Sequence, residues 1–263
     1  MRDVKATTMK ITLITCTYNA AEVLQRTLDS VLCQTYADIE HIIVDGKSKD
    51  ATLSMAEAYR RQSDASHVGH QIVIKSEPDK GLYDAMNKGI AMATGDYLCF
   101  LNAGDVLPAS DTIARIAQSV QGGTYSVLYG ETDIVDDNGR FLRHRRLQAP
   151  DHLTWRSFRQ GMLVCHQAFY ANTQIAKRVP YDLRYRISGD VDWCIRVMKE
   201  GDSQHLDTHN VRFVVANYLA GGMSVKNHRA SLKERFVTMC RHYGLIDTVC
   251  LHLWFVLRAV LKR

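Results

Sequence analysis

The sequence of 263 residues predicts an α/β domain with a mostly parallel central sheet flanked by helices, followed by C-terminal helices. Strand and helix patterns alternate through the first half of the chain. The strands are continuously apolar rather than alternating, which is typical of strands that are covered on both faces. The composition, 46% hydrophobic and 23% charged, is that of an ordinary globular protein. These observations together indicate one domain with a substantial core.

The predicted elements follow one another closely in the first half and more loosely in the second. Strands are predicted at 11–17, 40–44, 71–75 and 97–101, and helices at 20–34, 49–62, 82–93 and 110–120. After Gly122, strands are predicted at 126–130, 141–147, 162–170 and 212–217, and a helix at 190–200 that ends at Gly201. Two more helices, at 229–242 and 245–261, complete the chain.

Polar clusters follow each of the first four predicted strands. They are Tyr18-Asn19, Asp45-Gly46, the segment 77–81 and the segment 102–105. In parallel α/β sheets, ligands bind outside the carboxyl ends of the strands. The sequence therefore predicts a ligand site at this one edge of the sheet.

The glycine-rich phosphate motifs of other nucleotide-binding folds are absent from the sequence. No G-x-G-x-x-G follows the first strand, and no G-x-x-x-x-G-K-[ST] occurs. A nucleotide would instead need carboxylates and a metal ion to hold its phosphates. Asp105 is the best candidate, because it follows an apolar strand and the small residues Ala103 and Gly104. From its position alone, a loop acid that only forms turn hydrogen bonds has equal weight.

Three segments stand out: TYN at 17–19, VDGKSKD at 44–50 and EPDKGLYDAMNKG at 77–89. They resemble segments of family 2 glycosyltransferases with the GT-A fold, and in particular of bacterial enzymes that assemble exopolysaccharide, colanic acid or O-antigen units. CHQAFY at 165–170, SGDVDW at 188–193 and GGMS at 221–224 strengthen the resemblance. It covers residues 9–225. Since the alternation of strands and helices loosens after Gly122, we interpret residues 1–222 as one domain with a nucleotide-binding half at 1–120 and an acceptor half at 121–222.

The resemblance also implies roles for matched residues of the donor site. Thr17, Tyr18, Asn19 and Asp45 would hold the base and ribose of a nucleotide-diphosphate sugar. Lys80 would lie near the diphosphate, beside a wall shaped by Asp79 and Asn87. Asp105 matches the last acid of the family's D-x-D motif and would bind Mg²⁺ or Mn²⁺. Asn102 and Gly104 stand where many members have acids, which leaves one protein carboxylate for the metal and weakens the ribose contact at Asn102.

Asp190 matches the family's catalytic acid pair and would be the base of an inverting transfer. It also suits a helix N-cap, and the two roles are compatible. Asp192 is the reserve candidate. His166 and Gln167 are candidates for the acceptor or diphosphate pocket, although a histidine beside apolar residues is more often structural.

The segment 223–263 is a basic, partly amphipathic helical extension. It carries eight Lys or Arg residues against Glu234 and Asp247, whereas residues 1–222 are nearly neutral. Basic residues beside an apolar helix fit an anionic membrane surface better than a nucleic acid, so no nucleic-acid partner is expected. A helix docked on the domain or on a second copy of the chain is nearly as well supported. The apolar stretch is too short for a membrane span.

Seven scattered cysteines and the lack of an apolar signal segment indicate a protein of the reducing cytoplasm, peripheral on the inner face of the membrane. The leading hypothesis is inverting, metal-dependent transfer of one sugar from a nucleotide-diphosphate sugar to a glycan acceptor, lipid-linked, in surface polysaccharide biosynthesis. The alternative is a non-catalytic nucleotide-sugar-binding or assembly subunit at the membrane.

Overall fold

The computed structural model describes residues 9–66, 70–120, 122–221 and 227–261. Its strands are β1 (Ile11–Thr17), β2 (Ile39–Asp45), β3 (Gln71–Ser76), β4 (Tyr97–Phe100), β5 (Val127–Val135), β6 (Phe141–His144), β7 (Phe169–Asn172) and β8 (Thr208–Leu219). Its α-helices are α1 (Ala21–Leu32), α2 (Thr52–Ala65), α3 (Leu82–Met92), α4 (Thr112–Val120), α5 (Thr173–Arg178), α6 (Gly189–Ser203), α7 (His228–Tyr243) and α8 (Leu245–Leu261). Two 3₁₀ helices lie at Trp155–Gln160 and His166–Ala168.

One mixed sheet organises these elements. β3, β2, β1 and β4 run parallel in that order, and β7 then pairs antiparallel with both β4 and β5. β5 pairs in parallel with β8 and antiparallel with β6. The parallel half carries the four strand ends that the sequence placed at one edge, so the prediction of an α/β fold with a mostly parallel sheet is confirmed.

The predicted strand at 162–170 is wrong over most of its length. Only Phe169–Asn172 forms a strand, and the preceding residues turn through a 3₁₀ helix in which the Ala168 N–H donates to the Cys165 carbonyl. The residues before the strand are nevertheless buried, among them Met162 and Val164. An apolar run therefore indicated burial here, because periodicity alone does not separate a buried turn from a buried strand.

The helix that carries Asp190 does not end at Gly201, as predicted, but continues to Ser203. Gly201 is buried, and a Cβ atom on it would collide with the side chain of Ser126 at the start of β5. The glycine thus allows close packing of α6 against the sheet rather than ending the helix.

An aromatic column fixes α6 beneath the edge of the sheet. Tyr83 of α3 stacks on Tyr181 with ring centroids 5.0 Å apart, and Tyr181 stacks on Trp193 of α6 at 4.8 Å. Phe100 of β4 meets Trp193 edge-on at 5.5 Å. Since these side chains are buried, the column holds the N-terminal end of α6 in register with α3 and β4.

The C-terminal helices are in contact with the domain. Tyr243 of α7 stacks on Trp155, and its hydroxyl donates to the Trp155 carbonyl at 2.6 Å. Asp247 of α8 forms an ion pair with Arg159 at 2.6 Å. Within the part of the chain that the structure describes, no helix combines the length and the apolar character needed to cross a bilayer.

Candidate active site

The ends of β1, β2 and β3 meet at Asp45, which is fully buried. Its carboxylate accepts hydrogen bonds from the hydroxyls of Thr17, Ser48 and Ser76 and from the Ser48 N–H. The distances are 3.2 Å from Thr17 and 2.6 Å from Ser76. Asp45 therefore acts as the centre of a hydrogen-bond network that holds the strand ends together.

An open wall lies above this network. Tyr18 is 64% exposed, and Asn19 has a positive φ of 48° that turns the chain out of β1. The Asn19 side chain accepts from the Lys49 N–H at 2.9 Å. A Cβ atom at Gly46 would collide with Asp79 and touch the ring of Tyr18, so these two side chains flank the glycine. The result is an exposed aromatic ring beside a carboxylate, a surface suited to a planar base.

Asp105 lies just beyond β4 and is 3% exposed. The Leu219 N–H donates to its Oδ1 and the Gln167 amide donates to its Oδ2, both at 2.9 Å. The Thr27 hydroxyl donates to its carbonyl at 2.8 Å, which secures the loop from the side of α1. Burial raises the pKa of the Asp105 carboxyl to about 6, although the hydrogen bonds from the Leu219 N–H and the Gln167 amide lower it.

An acidic side chain at Gly104, where the family resemblance places an acid, would strain the backbone. Its φ is +98°, in the left-handed region that favours glycine, and a Cβ atom would lie 2.8 Å from Leu219. The conformation of the loop that places Asp105 in the site therefore favours glycine, and not an acid, at the preceding residue.

A chain of hydrogen bonds links Asn102 to Asp190 through His166. The Asn102 amide nitrogen lies 3.1 Å from His166 Nε2, and His166 Nδ1 lies 3.4 Å from Asp190 Oδ2. Because an amide nitrogen only donates, Nε2 is the acceptor and the ring proton lies on Nδ1, facing Asp190. Besides Thr17 and Asp45, the structure thus brings together five more of the predicted residues. They form two connected groups: Asn102, His166 and Asp190, and Asp105 with Gln167.

Asp190 sits in the first turn of α6 and is partly exposed. Burial opposes its ionisation, but the hydrogen bond from His166, the charge of Arg235 and the Val191 N–H together hold its pKa below the ordinary value. The carboxylate is therefore ionised at neutral pH and has one face open. This geometry can accept a proton or a hydrogen bond from a ligand.

Three predicted residues have other partners. Asn87 donates to the Tyr181 carbonyl at 3.0 Å and accepts from the Tyr181 N–H at 2.7 Å, so its amide anchors α3 to the segment before α6. Asp192 is fully buried and bonds His242 at 2.8 Å and Arg196 at 2.6 Å, away from the His166 chain. Lys80 is exposed, and its carbonyl accepts from Arg186 at 2.9 Å.

Residues that no motif indicated also shape the site. Thr27 holds the Asp105 loop, and its hydroxyl also accepts from the Gly104 N–H at 2.9 Å. Glu234 and Arg235 of α7 reach the start of α6 and the neighbourhood of Asp190. These contacts join residues that are far apart in sequence, so only the fold reveals them.

A divalent cation fits this site only if the ligand supplies most of its coordination. The described residues contain no group of three or more His, Cys, Asp or Glu side chains placed to share a metal. Asp105 already accepts one hydrogen bond on each oxygen, which leaves one lone pair on each. Mg²⁺ commonly takes one or two carboxylates together with substrate phosphates and waters, so a single carboxylate is sufficient.

The model of the family described as Glycosyl transferase family 2 matches residues 12–179, which include the donor-site segments and both Asp105 and His166. The chain belongs to glycosyl transferase family 2. This glycosyltransferase is 37% identical over 215 residues to a PGL/p-HBAD biosynthesis glycosyltransferase of Mycobacterium tuberculosis, covering 81% of the chain and 78% of the relative. It is 33% identical over 197 residues to the amylovoran biosynthesis glycosyltransferase of Erwinia amylovora, covering 70% of the chain and 62% of the relative.

Solved structures show the fold of the glycosyltransferase. S. aureus TarS 1-349 in complex with UDP-GlcNAc superposes with a TM-score of 0.69 at 16% identity, over 94% of this chain and 73% of that one. Mannosyltransferase PcManGT from Pyrobaculum calidifontis, in complex with GDP-Man and Mn²⁺, superposes with a TM-score of 0.64 at 18% identity, over 94% and 71%. The predicted GT-A fold is confirmed.

Proposed function

We propose that this glycosyltransferase transfers one sugar, with inversion, from a nucleotide-diphosphate sugar to a glycan acceptor in bacterial surface polysaccharide biosynthesis. The observation that carries the proposal is the pair of connected groups at one sheet edge. One group offers the Asp105 carboxylate where a diphosphate would lie, and the other offers the ionised Asp190 carboxylate on α6. Adjacent residues, His166 and Gln167, join the two groups.

The donor would lie across the ends of the parallel strands. The exposed ring of Tyr18 would stack on the base, next to the network of Thr17 and Asp45. Asp105 would hold Mg²⁺ or Mn²⁺ together with the donor's phosphates, with Asn102 nearby. A cation held there would stabilise the negative charge that develops on the leaving diphosphate. A related fold that binds GDP-Man and Mn²⁺ supports this placement.

Asp190 would be the general base. In an inverting transfer the acceptor hydroxyl attacks the anomeric carbon from the face opposite the diphosphate, and its proton must leave as the new bond forms. The ionised carboxylate would take that proton. His166 donates from Nδ1 to Asp190 Oδ2, so it would orient the carboxylate. Oδ1 accepts from the Val191 N–H and keeps a second lone pair for the acceptor hydroxyl.

The acceptor would be lipid-linked, and the C-terminal helices would lie against the membrane. A groove of about 410 Å³ between the segment before α6 and α7 is lined by Arg184, Lys233 and Arg241 beside Tyr185 and Val237. Glu234 also lines the groove, and Arg184 and Arg241 share Asp182, so three cations face two carboxylates and one net positive charge remains. A groove that combines cations with apolar side chains suits a phosphate attached to a lipid.

A screen of nucleotide diphosphates and nucleotide sugars tests the donor proposal. We expect one nucleotide series to raise the melting temperature by about 5 °C at a hundredfold excess over its Kd, with Mn²⁺ or Mg²⁺ but not with EDTA. The stabilising donor should then be turned over in the presence of a membrane extract. Binding without turnover of any donor would favour the alternative, a non-catalytic nucleotide-sugar-binding subunit.

Vesicle sedimentation tests the membrane proposal. On α8, Leu253 is 66% exposed and Trp254 is 53% exposed. We expect the protein to bind anionic vesicles better than neutral ones, and Leu253→Ser to weaken binding about tenfold, because a buried leucine contributes about 1.5–3 kcal/mol. Leu142→Ser, at an exposed leucine of β6, is the matched control. Equal vesicle binding by wild type and both variants would show that this helix face does not contact the membrane. The face would then be left for a protein partner such as a second copy of the chain, and light scattering detects such a dimer.

A further inference from the structure

The side chain of Glu234 on α7 accepts hydrogen bonds from three consecutive backbone N–H groups of the segment that leads into α6. Arg186 donates to Oε1 at 2.9 Å, and Ile187 and Ser188 donate to Oε2 at 2.9 and 2.7 Å. One turn earlier on α7, the hydroxyl of Ser231 is hydrogen-bonded to the hydroxyl of Ser188 at 2.8 Å. The segment that leads into α6 is thus attached to α7 through the Glu234 carboxylate and through the contact between Ser188 and Ser231.

The start of α6 needs such a partner. Ser188 is the N-cap residue, yet its side chain makes no capping bond to the helix. The first N–H groups of a helix, from the N-cap onward, have no acceptor within the helix. Glu234 satisfies the N-cap amide of Ser188 and also the amides of Arg186 and Ile187, which precede the helix. Charge-assisted hydrogen bonds of this kind are roughly twice as strong as neutral ones. Glu234 therefore fixes a segment that its own sequence leaves without a cap.

The same segment is held on its opposite side by the donor half of the domain. The Arg186 side chain donates to the Lys80 carbonyl at 2.9 Å, and the Gly189 N–H donates to the Tyr83 hydroxyl at 2.8 Å. Asp190 is the next residue along the chain. Its 3.4 Å contact with His166 depends on where this segment places the first turn of α6.

We propose that Glu234 is a positioning residue for Asp190, which makes α7 a component of the catalytic unit rather than an appended extension. This inference rests on the proposed function. Without Glu234 the segment keeps its contacts on the side of α3, but only Ser188, through Ser231, still holds it to α7. The first turn of α6 then loses its fixed distance to His166. Because a misplacement of about 1 Å can cost about 10²-fold in rate, the effect should appear in catalysis more than in donor binding.

Kinetics of Glu234 variants of the full chain test the proposal. We expect Glu234→Ala to lower kcat about 10²-fold while the KM of the donor and the metal-dependent thermal shift stay within twofold of wild type. Glu234→Gln keeps an acceptor oxygen of the same reach and should recover at least tenfold of that loss. Glu57→Ala removes a helix carboxylate that is paired with Arg60 on the surface, and it should leave kcat unchanged. An unchanged kcat in folded Glu234→Ala, or a loss equal in Ala and Gln, would overturn the inference.

Amide hydrogen exchange provides a readout that does not depend on turnover. In Glu234→Ala the amides of Arg186, Ile187 and Ser188 should exchange at least tenfold faster, while those of buried β1 stay protected. Unchanged exchange at these three amides would remove the inference even in an active enzyme. If the wild-type protein transfers no sugar from any donor, the proposed function is wrong. The amide exchange rates of Glu234→Ala would still show whether Glu234 holds the segment.

Discussion

Replacing Asp105 with asparagine is expected to stabilise the ligand-free protein and to abolish metal-dependent donor binding. Burial raises the pKa of Asp105 to about 6 from 3.8, and a shift of about two units corresponds to about 3 kcal/mol of stability lost at neutral pH. An asparagine carries no charge to desolvate. Its oxygen can accept from the Leu219 N–H, and its amide can donate to a reoriented Gln167. We expect a gain of about 1–3 kcal/mol, which is several degrees in melting temperature.

The pH dependence of this gain follows from the direction of the shift. Between about pH 4 and pH 6 the folded protein holds a proton on Asp105 that the unfolded chain has released, so this group lowers stability as the pH rises. The difference in melting temperature between Asp105→Asn and wild type should therefore be small near pH 4 and largest above pH 7. Calorimetry at several pH values measures it. Asp111→Asn, at an exposed acid, is the control and should change neither stability nor its pH dependence.

Metal-dependent donor binding should change in the opposite direction from stability: Asp105→Asn should lose it. A metal ion needs the ionised carboxylate, so Asp105→Asn should lose the thermal shift that Mn²⁺ and donor produce together. The same shift in the wild type should fade below about pH 6, as Asp105 takes up its proton. We assign Asp105 as a metal ligand whose buried charge lowers the stability of the ligand-free protein. An Asp105→Asn variant that is less stable than wild type, or that still binds donor in a metal-dependent way, would contradict this assignment.

The first four strands and their polar ends were predictable because the signals are local. A run of apolar residues and threonines without charge, such as Ile11–Thr17, indicates a buried parallel strand, and the residue that follows it must lie at the carboxyl edge. β7 was only partly predictable, since two antiparallel partners and not its own pattern decide where the strand begins. The sequence indicated burial there more reliably than conformation.

The sequence indicated which residues belong to the candidate site, but not which residues each of them hydrogen-bonds. The motif that contains Asp190 and Asp192 offers two acids with similar surroundings in sequence. In the structure Asp192 bonds His242, which lies 50 residues away on α7, whereas Asp190 faces His166. Asn87 matched the family pattern as part of a ligand wall, yet it bonds the backbone of Tyr181. Contacts between distant segments separate these roles, and no local pattern encodes them.

The two acids of α6 are expected to fail in different ways when each is changed to asparagine. Asp190→Asn removes the proposed base while its oxygen can still accept from His166. We expect kcat to fall about 10³-fold, as for loss of a general base, with donor affinity and melting temperature nearly unchanged. A loss of donor affinity equal to the loss of kcat would assign Asp190 to binding rather than to proton transfer.

Asp192→Asn is the matched control, because it lies two residues away on the same helix turn and has the same change in charge. Burial opposes its ionisation, but the hydrogen bonds from His242 and Arg196 hold its pKa below the ordinary value. Removing the charge leaves the partly buried Arg196 guanidinium without its carboxylate and weakens the hydrogen bond with His242. Breaking a buried ion pair by removing one partner typically costs about 3–5 kcal/mol. We therefore expect a melting temperature lower by several degrees and, in the fraction that remains folded, a kcat within about tenfold of wild type. Steady-state kinetics and calorimetry on both variants separate the roles: if Asp192→Asn loses turnover while Asp190→Asn retains it, the base is Asp192, and the His166 chain serves only to hold the fold.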